Sequence, residues 1–360
     1  MRYYIWKFTH IQEKGRYFMH KYAFWNNKGG TGKTTLCFQT LCQYAINHPE
    51  QQILAVDVCP QANLSELLLG GLVGAGSDNL MKIQSQSKRA TIGGYFQDKL
   101  PNPYSEMEIR FMDYVTAPSQ YNNNIPSNII LICGDPILEL QSNAVSTLAN
   151  TQIPGTNTWI RVIEWVSDLL KAGEEYYDTV FMDMNPSFSI FTQMALAAAD
   201  RLVLPVMADD SSRRAIQNAF SLIYGFKLPH PIYQEFAFST KMKKAGKALP
   251  VVHCIIKNRL TQYMGAASAY GAVLKTIDEV VDGLLREAQN ELIFSSTNKE
   301  DLLVEARDFQ TTGVVSTARG CPFYVLEKRS YVIQGRRVVI KGEYLTNCKD
   351  TIQEITSKIQ

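Results

Sequence analysis

Lys21-Tyr22-Ala23-Phe24-Trp25-Asn26-Asn27-Lys28-Gly29-Gly30-Thr31-Gly32-Lys33-Thr34-Thr35-Leu36 is the stretch around which the chain is organised. Aromatic and small residues lead in as a short strand, a glycine-rich turn follows, and a helical pattern opens at Lys33. Strand, glycine turn and helix in that order form the context of a phosphate-binding loop. Gly29, Gly30 and Gly32 let the backbone N–H groups around Thr31 turn toward one point without Cβ obstruction. The new helix directs its positive end at the same point. In this reading Lys33 reaches the β- and γ-phosphates, and Thr34 offers its hydroxyl to Mg²⁺. The competing reading is a glycine-rich turn with two solvated lysines; loop length and flanking pattern both speak against it.

The common phosphate loop reads G-x-x-x-x-G-K-[ST]. Here Asn27 stands at its first glycine, and a second lysine, Lys28, precedes the glycines. The run Asn26–Thr35 resembles the deviant Walker A loop of the ParA/MinD ATPases. The resemblance implies ATP and Mg²⁺ as cofactors and a homodimer that forms on ATP binding. It implies that Lys28 reaches across the dimer to the partner's nucleotide and that Thr35 contacts the α-phosphate.

Two further motifs extend the resemblance. Gln52–Asp57 reads as a buried strand that runs into Asp57-Val58-Cys59-Pro60-Gln61-Ala62-Asn63. This is similar to the family's D-x-D-P-Q-x-N, except that Cys59 replaces the second aspartate. Tyr177–Asp183 is a strand ending in an acid before Met184-Asn185-Pro186. It resembles the Walker B and switch II segment, with Asn185 in place of the first proline. Asp57 and Asp183 are expected on strands flanking the first, where each can hold Mg²⁺ directly or through water. Lys28, Lys33 and Asp57 are the implied catalytic groups, and Asn258, after the strand Val251–Ile256, is the implied reader of adenine. Asn298-Lys299-Glu300-Asp301 spells the N-K-x-D guanine motif, but family register favours Asn258 and ATP.

Length and composition bound the rest. The chain has 360 residues, 46% of them hydrophobic, with a formal net charge of +2. Any attraction to nucleic acid must therefore be local. Seven cysteines, scattered and without a C-x-x-C pair, point to reduced, buried thiols in a cytoplasmic protein. No apolar run is long enough for a transmembrane helix or a signal peptide.

Strands alternate with helices, which predicts a doubly wound α/β fold: one mainly parallel sheet with helices on both faces. Residues 1–18 read as an aromatic, basic extension. Residues 19–360 read as a ParA-like ATPase domain with variable insertions near 70–128 and 226–250. Helices are expected over Thr34–Ile46, Trp159–Lys171, Ser211–Tyr224, Thr276–Ala288, Lys299–Phe309 and Cys348–Ile359, and a last strand over Gly313–Ser316.

The resemblance implies a slow ATPase switch whose ATP-bound dimer holds DNA non-specifically and positions or segregates DNA or another cargo with an adaptor protein. Such a protein would associate with the nucleoid. Lys241, Lys243, Lys244 and Lys247 are the first DNA-contact candidates, followed by Arg213, Arg214, Arg336 and Arg337. Two alternatives stand beside it. One is a nucleotide-binding scaffold or sensor with little turnover, acting in mobile-element maintenance or defence. The other is a MinD-like membrane cycle. The tail Thr351–Gln360 argues against the latter, having isoleucines but only Lys358 as a cation.

Overall fold

The computed structural model describes residues 20–207, 209, 211–260, 268–288 and 292–359, with the side chains of 268–273 left aside. The aromatic extension 1–18 lies outside the described residues. Seven strands form one sheet: β1 (His20–Phe24), β2 (Ile53–Val58), β3 (Ile129–Ile132), β4 (Thr179–Met184), β5 (Arg201–Met207), β6 (Val251–Leu260) and β7 (Leu303–Arg307). Their order is β3-β2-β4-β1-β5-β6-β7, and every pairing is parallel. A separate antiparallel hairpin joins β8 (Ser330–Ile333) to β9 (Arg336–Val339).

The central strands are apolar at almost every position because both sheet faces are covered. Side chains still alternate with period two. Leu54 and Val56 enter the core on one face, with the helices Ile137–Asn150, Ile190–Ala198 and Ser212–Tyr224. Ile53 and Ala55 enter the core on the other, with the helices Lys33–Asn47 and Gly342–Lys358. This is the doubly wound arrangement. By the same alternation Tyr22, Phe24, Ala55 and Phe181 lie on the face of the Lys33–Asn47 helix. Asp57 and Asp183, each two residues beyond one of these, point to that face too.

Several expectations need correction. β2 does not flank β1, because β4 lies between them; Asp57 is therefore in register with Asp183 rather than beside the loop strand. Residues 303–307 are a strand, not part of a helix: Val304 and Ala306 are buried while Glu305 and Arg307 are exposed, a period of two. The expected last strand is inside the helix Gln310–Arg319, which buries Thr312, Val315 and Ser316 at helical spacing. The long helix expected over 159–171 is two, Thr158–Ile163 and Trp165–Ala172, meeting at Glu164.

The irregular stretches also contain helices, Gly76–Gln84 and Ile92–Lys99 in the first, Ile232–Phe236 and Phe238–Lys244 in the second. The C-terminal helix starts at Gly342 rather than the expected Cys348 and ends at Lys358; Ile352, Ile355 and Ile359 enter the core as expected. All seven cysteines are free and buried. No described helix is long and apolar enough to cross a membrane.

Candidate nucleotide site

The loop after β1 is fixed at its entrance by buried polar groups. Trp25 Nε1 donates to the Asn185 carbonyl at 3.0 Å, which ties the end of β1 to the segment after β4. Asn26 is fully buried; its Nδ2 donates to the Pro205 carbonyl at 2.7 Å, and its Oδ1 accepts from Lys28 N at 3.0 Å. The turn then passes through Gly30 at φ +74° and Gly32 at φ +88°, a backbone region costly for other residues. A Cβ at Gly32 would lie 2.2 Å from Asn258 Nδ2, so the glycine is needed on packing grounds as well. At Gly29 and Gly30 a Cβ would meet nothing within 4 Å, and both are exposed: this side of the loop opens onto solvent. The helix that follows has no side-chain cap and no acid in its first turn. Its N–H groups thus face the open side as an anion site.

Lys33 is buried, and its Nζ donates to the Lys28 carbonyl at 3.1 Å, inside its own loop. Burial lowers its pKa, opposed by the Asp183 charge. Thr34 Oγ1 donates to Asp183 Oδ2 at 2.7 Å. Asp183 Oδ1 is buried with no donor in hydrogen-bonding geometry. An orphaned carboxylate oxygen of this kind is costly unless something else binds it. Burial pushes the Asp183 pKa up, as does the neighbouring Asp57 charge, against Thr34 and Lys33.

Thr34 and Asp183 offer oxygen donors. Among the described residues no group of three or more His, Cys, Asp or Glu side chains forms a metal cage. The Thr34 hydroxyl and the unpaired Asp183 Oδ1 suit Mg²⁺, which takes one or two protein oxygens and completes its shell with water and phosphate.

Asp57 is differently placed. Its Oδ2 accepts from Ser65 N at 2.9 Å and Ser65 Oγ at 2.8 Å, and its Oδ1 from Cys59 N at 3.2 Å. Both oxygens are held by the segment that follows β2, Ser65 lying in the short helix Asn63–Leu68, although burial pushes the Asp57 pKa up against these bonds. The Cys59 thiol is pushed to about 12 by burial and the Asp57 charge, so it is neutral. Asn258 is brought onto the loop, its Nδ2 donating to the Thr31 carbonyl at 2.8 Å. The N-K-x-D run is a helix cap instead: Asn298 Oδ1 accepts from Glu300 N, Lys299 pairs with Asp282 at 2.8 Å, and Asp301 accepts from Ser296 Oγ.

Sequence reasoning missed the partners of Lys28. Its Nζ bonds Asp209 Oδ2 at 2.6 Å and also Ser211 Oγ, just beyond β5. The signal was present as an acid and serines following a buried strand. Of the DNA-contact candidates, Lys241 is half-buried over the Trp159 ring at 5.2 Å and Lys247 pairs with Glu164. Lys243 and Lys244 are exposed. Phe238, on the same short helix, packs edge-on against Phe188, which in turn packs against Trp25.

A family model described as an AAA domain matches residues 19–228, more than half of the chain. Among curated proteins none matches it. Among solved structures it is similar to the ATP complex of Cyanothece McdA, at 14% identity and a TM-score of 0.62, over 95% of this chain and 96% of that one. It is similar to pnob8 ParA at 14% identity and a TM-score of 0.53, over 95% and 98%. A plasmid partition protein from Borrelia burgdorferi aligns at 13% identity and a TM-score of 0.51, over 94% and 99%. At such identities the likeness is one of fold, and it is the fold expected from the loop.

Proposed function

Because the chain belongs to this AAA-domain family, we propose that it is a ParA-like ATPase switch, in which ATP with Mg²⁺ closes a homodimer that holds DNA non-specifically and positions a cargo. The observation that carries this reading is the loop itself: an open glycine turn, an uncapped helix N-terminus, a buried lysine, and Thr34 beside a carboxylate with an unpaired oxygen. Mg²⁺, when bound, neutralises charge on the phosphate oxygens. Thr34 and Asp183 would hold it. Lys33 exchanges the Lys28 carbonyl for phosphate, and the N–H groups of Gly29–Thr35 orient the chain of phosphates. Asn258 would read adenine only by exchanging its present bonds, its Nδ2 donating to the Thr31 carbonyl and its Oδ1 accepting from Arg259 N, each at 2.8 Å. Lys28 leaves Asp209 and crosses to the partner's nucleotide. Lys243 and Lys244 are the solvent-facing members of the 241–247 run and add to the attraction for DNA; an adaptor protein would stimulate turnover.

A second reading, a nucleotide-binding scaffold with little turnover, is favoured by the neutral Cys59 thiol where the resemblance leads one to expect a carboxylate. The membrane-cycling reading loses support because the C-terminal isoleucines are packed in the core.

Lys33→Ala should abolish ATP binding measured by calorimetry. Lys28→Ala should bind ATP but remain a monomer by light scattering. ATP affinity unchanged in the first variant, or a parent mass that never responds to ATP, overturns the reading.

A further inference from the structure

We propose that the β8–β9 hairpin is the main DNA-contacting surface of this protein, gripping the phosphate backbone of duplex DNA independently of sequence. The inference rests on the DNA-binding reading above and locates it on the fold. Residues 328–341 carry Lys328, Arg329, Arg336, Arg337 and Lys341 and no acid, more positive charge than the +2 of the whole chain. All five cations are exposed. Arg329 has an ion-pair partner, Glu327, at 3.6 Å; Lys328, Arg336, Arg337 and Lys341 have none among the described residues. In the 241–247 run Lys241 is half-buried over Trp159 and Lys247 pairs with Glu164, while Lys243 and Lys244 are exposed.

The hairpin has a backing. Gln334 and Gly335 turn at φ +48° and +76°, the two-residue turn whose twist suits an antiparallel ribbon. On its inner face Tyr331 is buried, and Ile333 and Val338 pack against the core shared with the loop helix. Gln39 of that helix donates to Ser316 Oγ at 2.6 Å and accepts from Phe323 N at 2.9 Å, which fastens the segment leading into the hairpin. Arg319 and Arg329 lie over the Tyr331 ring at 5.5 and 4.9 Å.

The outer face is different. Val332 and Val339 are 62% and 56% exposed and Arg337 sits opposite Val332 in register, whereas Arg336, opposite Ile333, is exposed at the turn on the other face. The ribbon's strands pair with no other strand of the described residues. A two-stranded ribbon fits the major groove, and exposed cations along it neutralise phosphates; Arg337 Nε also donates to Ser330 Oγ at 2.9 Å, and Lys341 lies over the Tyr344 ring at 5.9 Å. Charge complementarity favours a polyanion over a second copy of this surface, which would set the same cations against each other.

The test is fluorescence anisotropy of the full chain, with Mg-ATP, on duplexes of unrelated sequence over a range of salt. Neutralising both turn arginines (Arg336→Gln with Arg337→Gln) should weaken binding equally on all duplexes and flatten the salt slope by about 2, at roughly 0.9 per lost phosphate contact. Arg336→Lys with Arg337→Lys should keep most of the slope, and ATP affinity and thermal midpoint should be unchanged in both. Lys243→Gln with Lys244→Gln should flatten it less.

If the parent binds DNA but the neutralised hairpin keeps its slope, or the Lys243 and Lys244 variant loses more, the hairpin assignment is overturned while the DNA reading survives. A parent that ignores DNA in every nucleotide state overturns both. Loss of binding to anionic vesicles or of self-association, with DNA binding intact, assigns the surface to another partner and overturns the proposal.

Discussion

Release of Lys28 from Asp209 should make the ATP dimer tighter. In the single chain the lysine is held in place by Asp209 Oδ2 at 2.6 Å and by Ser211 Oγ, and it must leave both to reach a second nucleotide. Burial works against the Asp209 charge, but the hydrogen bonds from Lys28 and Ser211 outweigh it and hold this carboxyl below its ordinary range. The side chains of Lys28 and Asp209 are 30% and 40% exposed, so the pair is discounted for solvent screening. A half-exposed, well-aligned pair contributes about 1 kcal/mol. Both protomers must break theirs, so Asp209→Asn should favour dimerisation by about 2 kcal/mol, or about 30-fold in the dimer dissociation constant.

Sedimentation equilibrium in a slowly hydrolysed ATP analogue measures this directly. Nucleotide affinity should be unchanged, and Lys28→Ala combined with Asp209→Asn should behave as Lys28→Ala alone, since the two changes share one contact. A dimer constant unchanged or weakened by Asp209→Asn refutes the reasoning, because Asp209 would then not compete with the dimer for the lysine.

Cys59→Asp should raise phosphate release at saturating ATP by roughly tenfold or more, since a positioned carboxylate typically contributes about 10²–10⁴-fold and a neutral thiol accepts no proton from water. The same change adds an acid beside Asp57 and Asp183, whose pKa values burial already raises, so it should also lower the thermal midpoint. Unchanged turnover would place the chemistry elsewhere. His253 supplies a pH test. Its ring faces Ser295 Oγ at 3.0 Å, the Lys358 carbonyl at 2.8 Å and Arg201 at 3.4 Å, with Tyr22 and His20 nearby. Burial, with the Arg201 charge, pushes its pKa from 6.5 to about 4. A lowered histidine pKa means the unfolded chain binds the proton first, so this stability is full above pH 6.5 and is lost as pH falls toward 4. His253→Gln should therefore flatten the fall of the thermal midpoint over that interval; an equal fall in parent and variant would discount the residue.

The phosphate loop was legible because its chemistry is local. Gly30 and Gly32 are read from the chain itself, and the strand and helix on either side follow from a few neighbouring residues. The buried strands β2, β4 and β5 and the face of the C-terminal helix were equally plain, since continuous apolar runs and a spacing of three to four residues are properties of short windows. Two short elements misled. β7 has only five residues, too few for its alternation to stand out, and Gly313 sits in a helix that tertiary burial stabilises. The hairpin turns at Gln334-Gly335, a weaker signal than Asn-Gly.

Sequence alone thus determined the class of fold and the loop, and singled out the two acids Asp57 and Asp183. Only the tertiary structure decided their arrangement. The insertion of β4 between β2 and β1 set Asp57 opposite Asp183, a consequence of strand order that no local window contains. Bonds spanning large separations along the chain did the rest: Lys28 to Asp209, Asn258 to Thr31, and Trp25 to Asn185 join residues that share no segment. Charge followed the same rule. Lysines of similar appearance in the sequence ended in different environments, Lys241 half-buried on an aromatic ring, Lys247 beside an acid and Lys244 exposed, because the neighbours that bind or free a cation come from other elements of the fold.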